Sequence, residues 1–346
     1  MPSKIYITGV AGFLGSHIAD AMLQDGHAVV GCDNLIGGAK SNVPDGVEFF
    51  ELDCNDLDAL ANTMRGVDVV YHCAATAYEG LSVFSPYVIT QKIVGASVGV
   101  FTAAVICQAK RVVYCSSMAR YGANKVPFVE SMTPQPEDPY GIGKAACEQY
   151  LKTLCEAHGV DWTVAVPHNI YGPRQKYDDP FRNVASIMVN LMLQGERPII
   201  YGDGEQKRCF SYVDDCVAPL RAMAFDDRVV GEVINIGPED EFISINELAS
   251  AIAEVIGIEA DPIYYDSRPL EVSLANCSNE KARRILGYEP RTSLQEGLRS
   301  LVGYIKEQGV RPFSYHLPLE IINERTPRTW KERLFPTELR DEALAA

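Results

Sequence analysis

IYITGVAGFLGSHIAD, residues 5–20, carries the pattern that decides the fold. Ile5, Tyr6 and Ile7 form a short apolar run with strand character, Gly9, Gly12 and Gly15 punctuate a turn, and Ser16 to Met22 reads as the start of a helix. A tight strand-to-helix turn leaves backbone N–H groups pointing outward, so the positive end of the helix can hold a pyrophosphate. Glycine belongs where a Cβ would block the phosphate or hold helix and strand apart. A second strand is expected over residues 27–33 (HAVVGCD), ending in Asp33, 18 positions after Gly15. A carboxylate at about that distance hydrogen-bonds the adenosine ribose of a dinucleotide. No cation follows Asp33 until Lys40, whereas a 2′-phosphate calls for an adjacent Arg or Lys, so the local sequence favours NAD over NADP.

The 346 residues suffice for one large domain or two modest ones. A net charge of −15 argues against nucleic acid as a partner, and no basic run suggests a membrane surface. Ten cysteines without a C-x-x-C pair or zinc-like spacing read as reduced thiols of a cytoplasmic protein, with no metal site expected. The N-terminus, MPSKIYIT, has no signal-peptide layout, and no apolar run is expected to reach the length of a membrane span.

Further strands are expected at 47–52, 67–72, 111–116 and 162–166, with a long helix over 86–108. Strands alternating with helices at this spacing give an α/β, Rossmann-type, doubly wound parallel sheet with ligands at the C-terminal ends of the strands. Asp53, at the end of the third strand, either reaches the adenine or caps the following helix. The small residues Cys73, Ala74 and Ala75 let backbone lie against a cofactor. Two stretches carry chemistry: Cys115 to Gly122, and Pro139-Tyr140-Gly141-Ile142-Gly143-Lys144 opening a helix. Tyr140 and Lys144, four apart, share a helix face, where a cation favours the phenolate and makes the tyrosine a base. The Ser117 hydroxyl then orients the substrate oxygen.

TGVAGFLGSHIAD, HCAA, YCSSMARYG, PYGIGK and NIYGPRQ together resemble the extended short-chain dehydrogenase/reductase family, in its nucleotide-sugar epimerase/dehydratase branch (UDP-glucose 4-epimerase-like), from about residue 4 to 306. The resemblance implies Ser117, Tyr140 and Lys144 as the catalytic set and tightly held NAD that takes a hydride from a sugar carbon and returns it. It extends the cofactor surface to Phe13, Leu14, Asn34, Cys54, Ser116 and Pro167. On the substrate side it implies Asn169 and Arg208 on a diphosphate, Arg268 as its second arginine, Glu271 on the ribose and Tyr201 against the nucleobase, with Met118 and Asn183 also in contact. Tyr78 and Glu79, in an atypical aromatic loop (Thr76–Ser85), are expected to read the sugar. Dehydratases and decarboxylases of this branch carry acids after the serine; Met118 and Ala119 stand there instead, which leaves 4-epimerisation of an NDP-hexose, UDP-sugars foremost. A dehydrogenase or reductase on a related nucleotide sugar, and a non-catalytic NAD-binding regulator, are the alternatives.

Three departures stand out. Gln91 or Lys92 replaces the usual asparagine of the helix after strand four, with a one-residue insertion. Val166-Pro167-His168 is unusual, and His168 is either a substrate contact or a core histidine. Residues 307–346 have no counterpart in the family pattern and are expected to pack on the body or on a second subunit. The expected organisation is a cofactor region over 1–167, a smaller mixed region for the nucleotide sugar over 168–306, and this extension. A homodimer through the helices at 86–108 and 141–157 is expected by the same resemblance.

Overall fold

Short apolar strands separated by helices bury a sheet on both faces, which is why they read as nearly continuous hydrophobic runs. The computed structural model describes residues 2–339, so residues 340–346 of the extension lie outside it. Seven strands form the sheet: β1 (Lys4–Thr8), β2 (Ala28–Asp33), β3 (Glu48–Glu51), β4 (Val69–His72), β5 (Arg111–Cys115), β6 (Asp161–Pro167) and β7 (Val233–Ile236). All pair in parallel, in the order β3-β2-β1-β4-β5-β6-β7. The order reverses between β1 and β4, and the crevice beyond those strand ends is the place such a sheet offers a ligand.

Alternation along β1 shows how both faces are filled. Ile5 and Ile7 pack with Ile18 and Met22 of the Phe13–Gln24 helix and with Leu220 and Met223, while Tyr6 points to the opposite core. On that second face lie the Pro86–Ile106 and Pro139–His158 helices, with Ile93, Val100, Phe101 and Leu151 buried.

The helix expected over 86–108 is helical from Pro86 to Ile106, but α-helix over Pro86–Thr90 and Ala96–Ile106 flanks a π-helical turn at Gln91–Gly95. An i→i+5 turn accommodates one extra residue without breaking the helix, which accounts for the insertion. With 21 residues and a mean hydropathy of 1.6, this helix is long and apolar enough to cross a membrane. That corrects the expectation that no run reaches such a length. Core packing explains its composition: Ile89, Ile93 and Phe101 are buried, and Gly143 of the neighbouring helix approaches until a Cβ there would lie 3.2 Å from Ile93.

After β6 the chain builds a second core from the Val184–Leu193, Ile245–Ile256 and Leu294–Gln308 helices, around Met188, Leu248, Ile252, Leu301 and Ile305. The last two begin with Ser–Glu capping boxes. Small strands at Ile199–Tyr201, Lys207–Cys209 and Leu274–Ala275 place the substrate-side residues. The described part of the C-terminal extension packs on the body of its own chain, burying Phe313, Leu317, Trp330 and Phe335.

Candidate active site

The turn after β1 is built by close approach. Gly9 has φ +72°, and a Cβ there would lie 2.8 Å from the Ala74 nitrogen; one on Gly15 would collide with the Gly9 carbonyl. These contacts explain both the glycines and the small residues after β4. Asp33 receives the Ala11 and Leu35 N–H groups at 3.1 and 2.8 Å. Burial pushes its carboxyl up, while those hydrogen bonds and the Arg182 charge oppose the rise.

One cleft runs across the sheet edge from this turn. Its walls bring together Gly9, Gly12, Phe13 and Leu14 with Asp33, Asn34, Asp53 and Cys54, then Cys73, Ala74, Ala75, Ser116, Tyr140, Lys144 and Pro167. Every residue expected at the cofactor therefore lines it. Asp53 is not the helix cap, a role taken by Asp56, which accepts the Ala59 N–H at 3.0 Å. Burial acts to raise the Asp53 carboxyl, but hydrogen bonds from Asn55 and Asn34 bring it below its ordinary value. Lys92, from the π-turn, lines the cleft 3.8 Å from Asp53, whereas Gln91 donates to the exposed Tyr87 hydroxyl.

Asp138 caps the Pro139–His158 helix through the Gly141 N–H (2.9 Å), and Pro139 holds its first position. Tyr140 and Lys144 thus stand one turn apart at a fixed helix start. Tyr140 is 7% exposed; burial holds its phenol well above the ordinary value, and a hydrogen bond with Ser117 works in the other direction. Lys144 donates to the Cys115 carbonyl at 2.7 Å and lies 5.9 Å from the Tyr140 ring, with its own pKa pulled down by burial. Ser116 turns away, donating to Glu148 at 2.5 Å, and Glu148 pairs with buried Arg120 at 2.9 Å. This pair ties the segment after β5 to the Pro139–His158 helix.

Arg208, Arg268, Glu271 and Glu79 converge on the substrate side. Arg268 forks onto Glu271 (2.7 and 3.1 Å) and lies over the Tyr201 ring at 4.7 Å. Arg208 donates to the carbonyls of Val272 (2.5 Å) and Lys207 (2.9 Å). Glu79 is set deep in the fold yet opens to solvent; burial pushes its carboxyl to about 7, helped by Asp138 and opposed by Arg208 and Arg268.

Four residues expected at the substrate also make contacts within the protein. Met118 is packed in the hydrophobic core. Asn169 donates to the Cys209 carbonyl at 3.0 Å, and Asn183 caps the Val184–Leu193 helix while donating to Ile170. Tyr78 shows its ring to the cofactor cleft but commits its hydroxyl to Asp179 at 2.6 Å. In each polar case a half-buried amide or a buried hydroxyl finds a partner within the protein. His168 is a core histidine, fully buried and hydrogen-bonded to the Pro238 carbonyl at 3.1 Å, with its pKa lowered to about 4 by that burial.

Arg182 also lines the cleft. Its guanidinium reaches the cleft beside Gly37, covers the Tyr78 ring at 4.6 Å and stands 3.5 Å from Asp179. No local sequence signal placed it near Asp33.

A family model described as "NAD dependent epimerase/dehydratase family" matches residues 5–237. The chain belongs to that family. NAD is accordingly its cofactor, and the glycine cradle and the acidic ends of β2 and β3 fit a dinucleotide. Among curated relatives, a "Putative UDP-glucose 4-epimerase" of Methanocaldococcus jannaschii is 35% identical over 87% of this chain and 98% of its own length. A "UDP-N-acetyl-alpha-D-glucosaminuronate decarboxylase" of Bacillus cytotoxicus is 30% identical over 89% and 99%. The solved structure of a Thermotoga maritima UDP-glucose 4-epimerase with UDP-glucose superposes with a TM-score of 0.82 at 33% identity, covering 88% of this chain and 99% of that one. Family membership establishes the coarse chemistry, and the relatives' differing reactions make the residues of the site decisive.

Proposed function

We propose that the protein is an NAD-dependent nucleotide-sugar 4-epimerase that inverts C4 of an NDP-hexose, UDP-sugars foremost, through a transient 4-keto sugar. The observation that carries this reading is the meeting of Ser117, Tyr140 and Lys144 at the end of β5, beside the dinucleotide cleft. NAD, when bound, supplies the hydride acceptor and, once reduced, the donor. Tyr140 removes the O4 proton as C4 is oxidised and returns it as C4 is reduced from the opposite face. Ser117 shares the hydrogen bond to that oxygen, and the Lys144 cation favours the phenolate. The reaction begins and ends with the same cofactor form, so no outside oxidant is needed.

Met118 and Ala119 support epimerisation over decarboxylation or elimination. Neither the Met118 thioether nor the Ala119 methyl can donate a proton, and both lie within or at the edge of the core, 9% exposed, where an acid would have to stand to assist a leaving group. Arg208 and Arg268 suit a diphosphate because guanidinium forks match phosphate oxygens, and a chain of net charge −15 must supply such cations locally.

The test is to purify the protein without added cofactor, release and identify the bound dinucleotide, and incubate native enzyme with a panel of UDP-sugars followed by NMR. Bound NAD and interconverted C4 epimers without net NADH are expected. NADH growing in step with product would establish a dehydrogenase instead.

A further inference from the structure

The relatives described above account for 98–99% of their own lengths with 87–89% of this chain, so about a tenth of it lies beyond what they share. Past Gln308 the chain turns back across the substrate side and is fastened there. Trp330, 1% exposed, packs against Phe181 (ring centroids 5.3 Å apart) and Phe84 (6.1 Å) and donates its indole N–H to the Pro180 carbonyl at 3.2 Å. Thr329, fully buried, shares a 2.5 Å hydrogen bond with the Tyr201 hydroxyl. Gly80 lies where both sides press in: a Cβ there would be 3.1 Å from Arg268 and 3.3 Å from Trp330.

Beyond Tyr201 a second cleft of about 1040 Å³ opens. Tyr201, Tyr265 and Ser267 form one wall; Thr326, Arg328 and Lys331 of the extension form the other. Acidic and basic side chains line it in equal number, so it offers no net field for a phosphate, while its aromatic and hydroxyl groups suit a flat, neutral, hydrogen-bonding ring. Arg268 follows Ser267 directly and lies over Tyr201, which puts the diphosphate cation at the inner end of this cleft.

We propose that residues 324–332 are the outer wall of the nucleoside end of the substrate site, the ligand being a nucleoside diphosphate. Thr329 is its positioning residue: it holds Tyr201, and the Tyr201 ring supports the Arg268 guanidinium. The extension is thereby part of the binding site and not an appendage to the fold. This assignment rests on the nucleotide-sugar reading above.

Calorimetric titration of UDP into the NAD-loaded parent, Thr329→Val, Thr329→Ser and Arg328→Trp tests it. Serine keeps the hydroxyl, and tryptophan fills the cleft from an exposed position, so it stays informative if Thr329→Val folds poorly. The expected result is a five- to tenfold loss of UDP affinity in Thr329→Val, a tenfold or greater loss in Arg328→Trp, and affinity within twofold of the parent in Thr329→Ser. NAD content is expected to be equal in all four. Parent-like UDP affinity in both Thr329→Val and Arg328→Trp would overturn the assignment alone. A parent that binds no UDP, GDP or dTDP would overturn the nucleotide-sugar reading, and this assignment with it.

Discussion

Gly37 and Arg182 are distant in the chain and touch in the fold: a Cβ on Gly37 would collide with Nη2 of Arg182. The contact closes the cofactor cleft from the side of the second region and brings a cation to the loop that follows Asp33. Asp179, itself fully buried, and the Tyr78 ring hold the guanidinium in place.

Replacing Arg182 by Ala is therefore expected to weaken retention of NAD. The variant should leave gel filtration with substoichiometric dinucleotide and regain activity when NAD is added, whereas the parent keeps its cofactor. Measuring bound NAD by absorbance and mass after denaturation decides the point.

Tyr140→Phe removes from a buried ring the hydroxyl proposed to carry the proton, together with its hydrogen bond to Ser117. We expect kcat to fall by roughly 10²–10⁴-fold, with bound NAD unchanged. Because burial holds the phenol above its ordinary value, the base form is scarce at neutral pH, and kcat/KM of the parent should rise with pH across the range in which the enzyme is stable. Lys144→Met should move that rise further to the alkaline side, as read from the pH–rate profile.

Glu79 gives a stability signature. Its carboxyl is raised from 4.5 to about 7 in the fold, so the folded protein holds a proton that the unfolded chain releases. Stability from this group is lost as pH rises through that window. Glu79→Gln should melt at the same temperature as the parent at pH 4.5 and above it at pH 8, which thermal unfolding at both pH values checks.

Asp138 caps the helix that carries Tyr140 and Lys144. Asp138→Ala should cost about 1 kcal/mol of stability, as cap losses do, seen as a lower urea midpoint. Activity should fall further than that loss implies, because the Tyr140 backbone sits in the first turn that the cap organises.

Ile142 and Tyr150, 53% and 47% exposed, stand outward on the Pro139–His158 helix, and Tyr87 is 67% exposed on the adjacent Pro86–Thr90 segment. We propose that this face pairs two copies of the chain. Light scattering should find a dimer, and Ile142→Asp with Tyr150→Asp should give a monomer.

Local sequence determined a good deal. The glycines at 9, 12 and 15, the acid at 33, the small residues after β4 and the Tyr140–Lys144 spacing are all short-range patterns, because a strand–turn–helix unit and a helix face are built from neighbours. The inserted residue near 91 was visible in the sequence as a mismatch, and its form, a π-turn that aims Lys92 at the cleft, was not. Tertiary structure alone decided which partners the polar groups of the site find within the protein. Asn169, Asn183 and the Tyr78 hydroxyl each hydrogen-bond within the protein, to Cys209, Ile170 and Asp179, partners that their own sequence neighbourhoods do not reveal. Conversely, Arg182 reaches the cofactor cleft and Thr329 reaches Tyr201 across contacts that no local pattern encodes. Such placements depend on how the second region and the extension pack against the sheet, and that is a property of the whole fold.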